Sequence, residues 1–317
     1  MSHPKNTLSL AGVLRNVPLA PYSWIRIGGP AEYFFTATSV EELQNAILAA
    51  GEDGLPVTVL GGFSKVLISD NGIPGLVVRA VHDDAVFQET SVTVGAGYRV
   101  NRLALKAAEA SLSGLEFSLG IPGTIGGATT MNAGCFGKEF RECIEEVTSV
   151  DHRGTVHTRG SEECGFGYRT SIFQENGEII LSVRLRLEKG NQRSIREQQK
   201  KHMQFRREHQ PWGRPTLGST FCNVEINDVE RGVLERHGLE HATRDGKLGA
   251  GALIDSCGLK GFRIGDVRVS PLHANFLENC GRATAEHVCM LCSIIKQKVR
   301  TEFGGVQLKQ EIIMLGF

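Results

Sequence analysis

Gly120-Ile121-Pro122-Gly123-Thr124-Ile125-Gly126-Gly127, followed at once by Met131-Asn132-Ala133-Gly134, places five glycines within fifteen residues. Glycine has no Cβ, so backbone N–H groups in such a run can converge on an anion with no side chains in the way. Ordinary turns of an α/β domain are the plainer account, but two turns do not need five glycines so close together. The run therefore reads as a phosphate cradle for a dinucleotide, with Asn132 and Gly134 at its far end. A second turn, Leu60-Gly61-Gly62-Phe63-Ser64-Lys65, follows the strand-like Val57–Leu60. Two glycines after a strand suit a cofactor loop and a plain βα turn equally, and Ser64 offers a hydroxyl donor. Gly95-Ala96-Gly97 has Val100 where a Rossmann fingerprint carries its third glycine, which argues against that kind of pyrophosphate site.

Composition narrows the class. A chain of 317 residues exceeds one core of roughly 100–200 residues, so two or three domains are expected. Lys plus Arg and Asp plus Glu both number 35, which removes the broad positive field that nucleic-acid binders use. The 38 glycines cluster without a fixed period, as tight turns and close backbone approach require. Met1 to Ala20 lacks the pattern of a secretory signal, and no run of about 18 apolar residues occurs, so a cytoplasmic protein without a membrane partner is expected. The eight cysteines are scattered from Cys135 to Cys292 and read as reduced thiols. Cys289 and Cys292 fall on a helical apolar stripe with Val288, Leu291, Ile295 and Val299, which makes them core rather than metal or redox groups. The histidines show no metal spacing, and no metal is expected.

Periodicity divides the chain. Strand-like Tyr33–Phe35, Val57–Leu60 and Leu76–Val78 flank a helix over Val40–Ala50, capped by Ser39 with Glu42 in capping-box position. A strand at Val92–Val94, a helix from about Arg99 to Ser111, a hairpin of Glu146–Val150 with Thr155–Thr158, and the alternating strand Ile179–Leu187 follow. A polar helix from about Gln192 to Arg207 leads to the Pro-containing Gln210–Pro215, a candidate boundary. Beyond it lie a helix near Ala252–Cys257, extended Gly265–Val269 and Ala274–Leu277, a helix over Ala285–Phe303 and the final strand Glu311–Leu315.

Taken in order, Ile25-Arg26-Ile27-Gly28-Gly29, the Gly61 turn, Gly114-Leu115-Glu116-Phe117 leading into the Gly120 run, Gly167-Tyr168-Arg169, Gly218-Ser219-Thr220-Phe221, His273-Ala274-Asn275-Phe276 and Glu311 form one series. From about Leu19 to Phe317 the chain resembles the UDP-N-acetylenolpyruvoylglucosamine reductase family. The short interval from Arg169 to Gly218 resembles its compact form, which lacks an extra substrate-covering loop. The resemblance implies an α+β protein: a vanillyl-alcohol-oxidase-type (PCMH-type) two-part FAD-binding fold plus a C-terminal α+β substrate domain. It sets FAD subdomains at 1–80 and at 81–204 with 305–317, and the substrate domain at 205–304. It further implies FAD as cofactor, NADPH as hydride donor, and a monomer that reduces UDP-N-acetylglucosamine enolpyruvate to UDP-N-acetylmuramate in peptidoglycan precursor synthesis.

The same resemblance assigns roles. Hydride addition to an enolpyruvyl alkene puts negative charge on the adjacent carbon and its carboxylate, so a cation and a proton source are needed. Arg169 is implied as the cation, Ser219 as the proton donor, and Glu311 as the group acting with Arg169 on the enolate carboxyl. Bare, these would read as a surface arginine, a turn serine and an exposed strand carboxylate. Two carboxyl groups meeting in a low dielectric repel, so Glu311 is expected to be protonated or bridged when substrate is bound. Gly61, Gly62, Phe63, Ser64, Lys65, Gly120, Ile121, Pro122, Gly123, Thr124, Gly126, Gly127, Asn132 and Gly134 are the implied FAD residues. Tyr168, Asn223, Asn275 and His209 are the implied substrate residues, with Arg206 and Arg207 as further candidates for the diphosphate. The family usually has glycine at Phe63 and asparagine at Lys65; Cys222 and Val224 also depart from it. An FAD-dependent sugar or alcohol oxidase on the same fold, and a non-catalytic UDP-sugar or flavin-binding relative, are the competing readings.

Overall fold

The computed structural model describes residues 8–317, so the first seven residues of the N-terminal stretch read above lie outside the described residues. The chain divides into two compact units. One takes the chain up to Val17, Ala31–Phe63 and Ile73–Phe205; the other takes Pro18–Pro30, Ser64–Gly72 and Arg206–Phe317.

In the first unit, strands Leu14–Pro18, Pro30–Ala37, Ile73–Ala80 and Val57–Leu60 form a sheet in that order. Both Pro30–Ala37 and Val57–Leu60 run parallel to Ile73–Ala80. Parallel neighbours need a crossover, and helix Val40–Glu52 supplies it. Its Leu43, Ala46, Ile47 and Ala50 recur at i, i+3, i+4 and i+7, so one face is buried. Ser39 caps it by accepting the Glu42 amide at 3.1 Å. The Glu42 carboxylate accepts from the amide and hydroxyl of Thr38, one residue further back than the expected capping box.

The same unit carries a second, antiparallel sheet in the order Val156–Gly160, Ile144–Val150, Ile179–Arg186, Ser91–Gly95, Ala85–Gln88. Val183 and Leu185 on the central strand pack with Val92, Val94, Val147 and with Leu103, Ala104 and Ala107 of helix Val100–Glu109. Gly97 is glycine because a Cβ there would lie 2.5 Å from the His82 carbonyl oxygen. Close packing of two backbones thus accounts for Gly95-Ala96-Gly97, not a Rossmann turn.

The second unit has a four-stranded sheet in the order Thr216–Ser219, Phe276–Asn279, Val267–Val269, Arg263–Ile264. Helix Ala285–Glu302 buries Val288, Leu291, Cys292, Ile295 and Val299 in its core. Burial pushes the Cys292 thiol up to about 12, which removes the thiolate that reactivity needs. The C-terminal strand Ile313–Leu315 was expected to return to the subdomain at 81–204. It pairs in parallel with Val66–Ile68 instead. The expected boundaries shift accordingly: 31–63 and 73–205 belong to one unit, while 18–30, 64–72 and 305–317 join the C-terminal unit. Local periodicity locates strands but carries no record of their partners.

Residues 64–72 are fastened inside this unit. A Cβ at Gly29 would lie 2.2 Å from the Asp70 carbonyl oxygen, so the two segments meet backbone to backbone. Asp70 accepts the amides of Ala285 and Glu286 at 2.9 and 3.2 Å, while Thr284 accepts that of His287 at 3.1 Å. The first turn of the long helix is therefore capped, and a carboxylate there also suits the helix dipole. Asp70→Ala is expected to destabilise the protein by about 1–2 kcal/mol. Thermal unfolding followed by circular dichroism checks this, and an unchanged Tm would remove the capping role.

Candidate active site

The two glycine turns meet in the first unit. A Cβ at Gly61 would lie 2.1 Å from Thr124 Oγ1, and one at Gly62 would lie 2.4 Å from the Gly123 Cα. Both gaps are far below van der Waals contact, so only glycine fits: Gly61 backs onto the Thr124 side chain and Gly62 onto the Gly123 backbone. Gly120 and Gly123 have φ of 89° and 109°, a region other residues rarely adopt. The rest of the run is anchored. Gly120 donates its amide to Asn101 Oδ1 at 2.6 Å, and the amides of Ile121, Ile125 and Gly126 donate to the carbonyls of Ser118, Tyr98 and Ala96. The expectation that consecutive amides of the run converge on an anion thus narrows to the Gly123-Thr124 portion opposite Gly61-Gly62. A pyrophosphate needs close approach to backbone, and this side-chain-free cradle fits that part of FAD.

Phe63 keeps the conformation that glycine would permit. Its φ is 52° and its side chain is buried. The departure at this position therefore stores strain, of the order of 1–2 kcal/mol, against the burial of an aromatic ring, and the left-handed backbone persists.

At the end of the run, Asn132 is fully buried with φ 39°. Its Nδ2 donates to Glu139 Oε2 at 3.0 Å and to the Gly167 carbonyl at 2.8 Å, and its Oδ1 accepts the Arg141 amide at 3.0 Å. Its amide is thus spent inside the protein, tying the glycine run to the Gly167 turn. That turn is tight: Gly167 and Thr170 exchange backbone hydrogen bonds, leaving Tyr168 and Arg169 at its tip. Arg169 takes φ 59°, the turn position that favours glycine. Such a placement costs about 1–3 kcal/mol and persists only when its surroundings impose it. Here Arg169 Nη2 donates to the Gly134 carbonyl at 2.8 Å, its carbonyl accepts from Gln174 Nε2 at 3.0 Å, and its guanidinium lies 4.9 Å from the Tyr168 ring centroid. Glu139 Oε1 lies 3.8 Å from Nη1. At 18% side-chain exposure, Arg169 is a held cation rather than a surface arginine. Glu139 and Gln174, neither legible in sequence as site residues, do part of the holding.

Ser219 and Glu311 belong to the second unit. The pairing of Thr216–Ser219 with Phe276–Asn279 shifts register between Thr216 and Ser219, where Gly218 has φ 70°. This irregularity re-aims Ser219 at the strand end. The following residues are clamped from both sides. Asn275, buried, accepts the Phe221 amide at 2.9 Å through Oδ1 and donates to the Phe221 carbonyl at 2.8 Å through Nδ2. On the other side Glu311 donates its amide to the Thr220 carbonyl, and Cys222 donates to that of Lys309. Asn275 thus holds the Ser219 strand. Asn223 accepts the Ala250 amide at 3.2 Å, at the start of helix Ala250–Ser256, and His209 is exposed at the end of helix Gln192–His209.

Sequence reading sets Lys65 among the FAD phosphates. The structure instead puts its ammonium 2.8 Å from Glu311 Oε1 and in a hydrogen bond to the Ser219 carbonyl oxygen. Glu311 thus forms an ion pair with Lys65. The signal in sequence was Lys65 itself, a cation where the family carries an amide.

Gly62→Ala is expected to lose bound flavin while Gly232→Ala, whose Cβ meets nothing within 4 Å, retains it. Flavin absorbance per folded protein reads the outcome, and equal flavin in both variants would remove the cradle. His273, half-buried, accepts the Asn275 amide at Nδ1. Burial lowers its pKa, with Lys260 adding to the effect, so folding favours the neutral ring. Its contribution is full above the ordinary 6.5 and fades as pH falls below it. The Tm of the wild type should therefore drop more between pH 7.5 and 5.5 than that of His273→Asn; parallel drops would contradict this.

Comparison with known proteins accords with these halves. Residues 31–160 match the FAD binding domain family. Residues 210–315 match the family described as UDP-N-acetylenolpyruvoylglucosamine reductase, C-terminal domain. The reductase of that name from Lachnoclostridium phytofermentans is 35% identical over 98% of this chain and 96% of its own length. That of Prochlorococcus marinus is 37% identical over 95% and 92%. The crystal structure of UDP-N-acetylenolpyruvylglucosamine reductase from Thermus caldophilus has a TM-score of 0.75 at 33% identity, covering 96% of this chain and 98% of that one. The fold is the two-part FAD-binding fold with a C-terminal α+β domain. With likeness running through the glycine cradle and through the unit that carries Ser219 and Glu311, this chain belongs to the UDP-N-acetylenolpyruvoylglucosamine reductase family.

Proposed function

We propose that this chain catalyses the FAD-dependent, NADPH-driven reduction of UDP-N-acetylglucosamine enolpyruvate to UDP-N-acetylmuramate for peptidoglycan synthesis. The observation that carries the reading is the near-full-length likeness to reductases of that name. FAD, when bound, would supply the redox chemistry that links NADPH oxidation to reduction of the alkene. Gly61, Gly62, Gly123 and Thr124 would hold its pyrophosphate, because the three glycines leave their backbone open to close approach.

The remaining chemistry falls to side chains of the protein. Arg169 binds the substrate carboxylate through its planar, permanently charged guanidinium and stabilises the enolate as charge develops. Its anchoring on the Gly134 carbonyl fixes the cation before the reaction begins. The Ser219 hydroxyl gives its proton to the enolate carbon and recovers one from water. A hydroxyl is a weak acid, so this transfer depends on a strongly basic enolate and on close placement. The register shift at Gly218 and the Asn275 clamp supply such placement from within the strand. Glu311 acts with Arg169 on the enolate carboxyl. Tyr168, Asn223 and His209 hold the sugar nucleotide, and Asn275 serves it indirectly through the Ser219 strand. No described helix is long and apolar enough to cross a membrane, and both small-molecule reactants are highly polar, which supports an enzyme working in the cytoplasm.

The purified protein should show a flavin spectrum that bleaches with NADPH and recovers only when the enolpyruvyl sugar nucleotide is added. Recovery with oxygen alone at the same rate would favour an oxidase. Ser219→Ala should slow recovery by roughly 10²–10⁴-fold with bleaching unchanged. Glu311→Gln should likewise lose substrate reduction and keep NADPH reduction of FAD. Equal loss of both half-reactions would sink the assignment of either residue.

A further inference from the structure

Lys65 is a half-buried cation whose partners both belong to the site proposed above. Its ammonium lies 2.8 Å from Glu311 Oε1, with side-chain exposures of 21% and 10%, and it donates to the Ser219 carbonyl oxygen. The lysine backbone is fixed as well, since its carbonyl accepts the Ile313 amide at 2.9 Å, two residues beyond Glu311. Parallel pairing of Val66–Ile68 with Ile313–Leu315 continues from that bond. Lysine and glutamate thus stand at the start of one rigid strand pair, and the serine strand is bonded to both: to Lys65 through the Ser219 carbonyl and to Glu311 through the Thr220 carbonyl.

A carboxylate in this position has an electrostatic problem. An anionic substrate carboxylate brought beside an ionised Glu311 is repelled, and the repulsion grows as water is excluded. Either Glu311 takes up a proton or a cation balances it. Neighbouring segments also carry Lys296 on the long helix, held by Gln310 Oε1 at 2.7 Å, exposed Lys309, and Cys222, whose amide donates to the Lys309 carbonyl. Lys65 is in direct contact with the Glu311 carboxylate.

We propose that Lys65 is a positioning residue for the reduction step: its ammonium orients Glu311 and balances the charge that the substrate carboxylate meets there, and it fixes the Ser219 backbone at the same time. The inference rests on the assignment of Ser219 and Glu311 to the substrate. It takes Lys65 away from the cofactor phosphates, and the two roles separate cleanly by experiment.

Lys65→Met, Lys65→Arg and Glu311→Gln, and the double variant of Lys65→Met with Glu311→Gln, are compared with the wild type as flavin-loaded full-length proteins. Flavin content, bleaching by NADPH and re-oxidation by UDP-N-acetylglucosamine enolpyruvate are measured between pH 5.5 and 9. Lys65→Met should retain flavin and bleach normally, yet re-oxidise at least tenfold more slowly at pH 8. Lys65→Arg should restore most of the rate, and Lys65→Met should add less than twofold to the loss already caused by Glu311→Gln. Wild-type re-oxidation by Lys65→Met at every pH would overturn the proposal. So would loss of flavin instead of re-oxidation, which would return Lys65 to the cofactor, or an equal cost with and without Glu311. Should the methionine variant not fold, Lys65→Gln carries the same expectations. A fully active Glu311→Gln would refute the underlying assignment itself, whereas an inactive Glu311→Gln beside a normal Lys65→Met would refute only the role of Lys65.

Discussion

Two pieces of backbone that approach more closely than any side chain allows organise the cofactor half of this protein. Gly62 and Gly123 face each other at a separation that leaves no room for a Cβ. Gly62 follows strand Val57–Leu60, and Gly123 leads into the short helix Ile125–Thr130. To bring those turns together, Gly120 is held by Asn101 on the neighbouring helix, and Ile125 and Gly126 are held by the carbonyls of Tyr98 and Ala96. Packing of the sheet, helix and turns thus serves one steric requirement, bare backbone opposite bare backbone. That same requirement explains why the left-handed conformation at Phe63 survives where glycine would have been easier.

The side chains proposed to be catalytic are placed by a second device, hydrogen-bonded backbone at positions of irregular geometry. Arg169 stands in a turn conformation that disfavours it and is held there by the Gly134 carbonyl and by Gln174. Ser219 follows a register shift at Gly218 and precedes a strand clamped between Asn275 and residues 309–311. Strain of this sort is tolerated where surrounding bonds over-determine the backbone. Asn132 and Asn275 do similar work in the two units: each is buried, and each spends its amide on backbone groups that carry a functional residue. Asn132 entered the sequence reading as a cofactor contact at the end of a glycine run, and Asn275 as a substrate contact implied by the family resemblance.

Much of the architecture was legible. The helical stripe at Leu43, Ala46, Ile47 and Ala50, the alternation along Ile179–Leu187 and the glycine clustering each follow from a local period or a local steric need. The Asp151–Gly154 hairpin was also readable, since Asp151 accepts the amides of Arg153 and Thr155 within its own turn. Domain membership was not. Residues 18–30 and 64–72 carry no composition that distinguishes them from their neighbours, and they join the C-terminal unit because Gly29 fits against Asp70 and because Asp70 caps a helix more than two hundred residues away.

The amino-acid order alone therefore settled what depends on neighbours in the chain: helices, strands, the glycine turns and, through their succession, the family. Partnership between distant residues required the folded chain. Nothing near Lys65 in sequence announces Glu311 or Ser219, and a lysine after a glycine turn reads naturally as a phosphate ligand. Only the parallel pairing of Val66–Ile68 with Ile313–Leu315 brings that ammonium to a carboxylate at the far end of the chain. The physical reason is that charge acts through space at a few ångströms, while sequence records separation along the backbone.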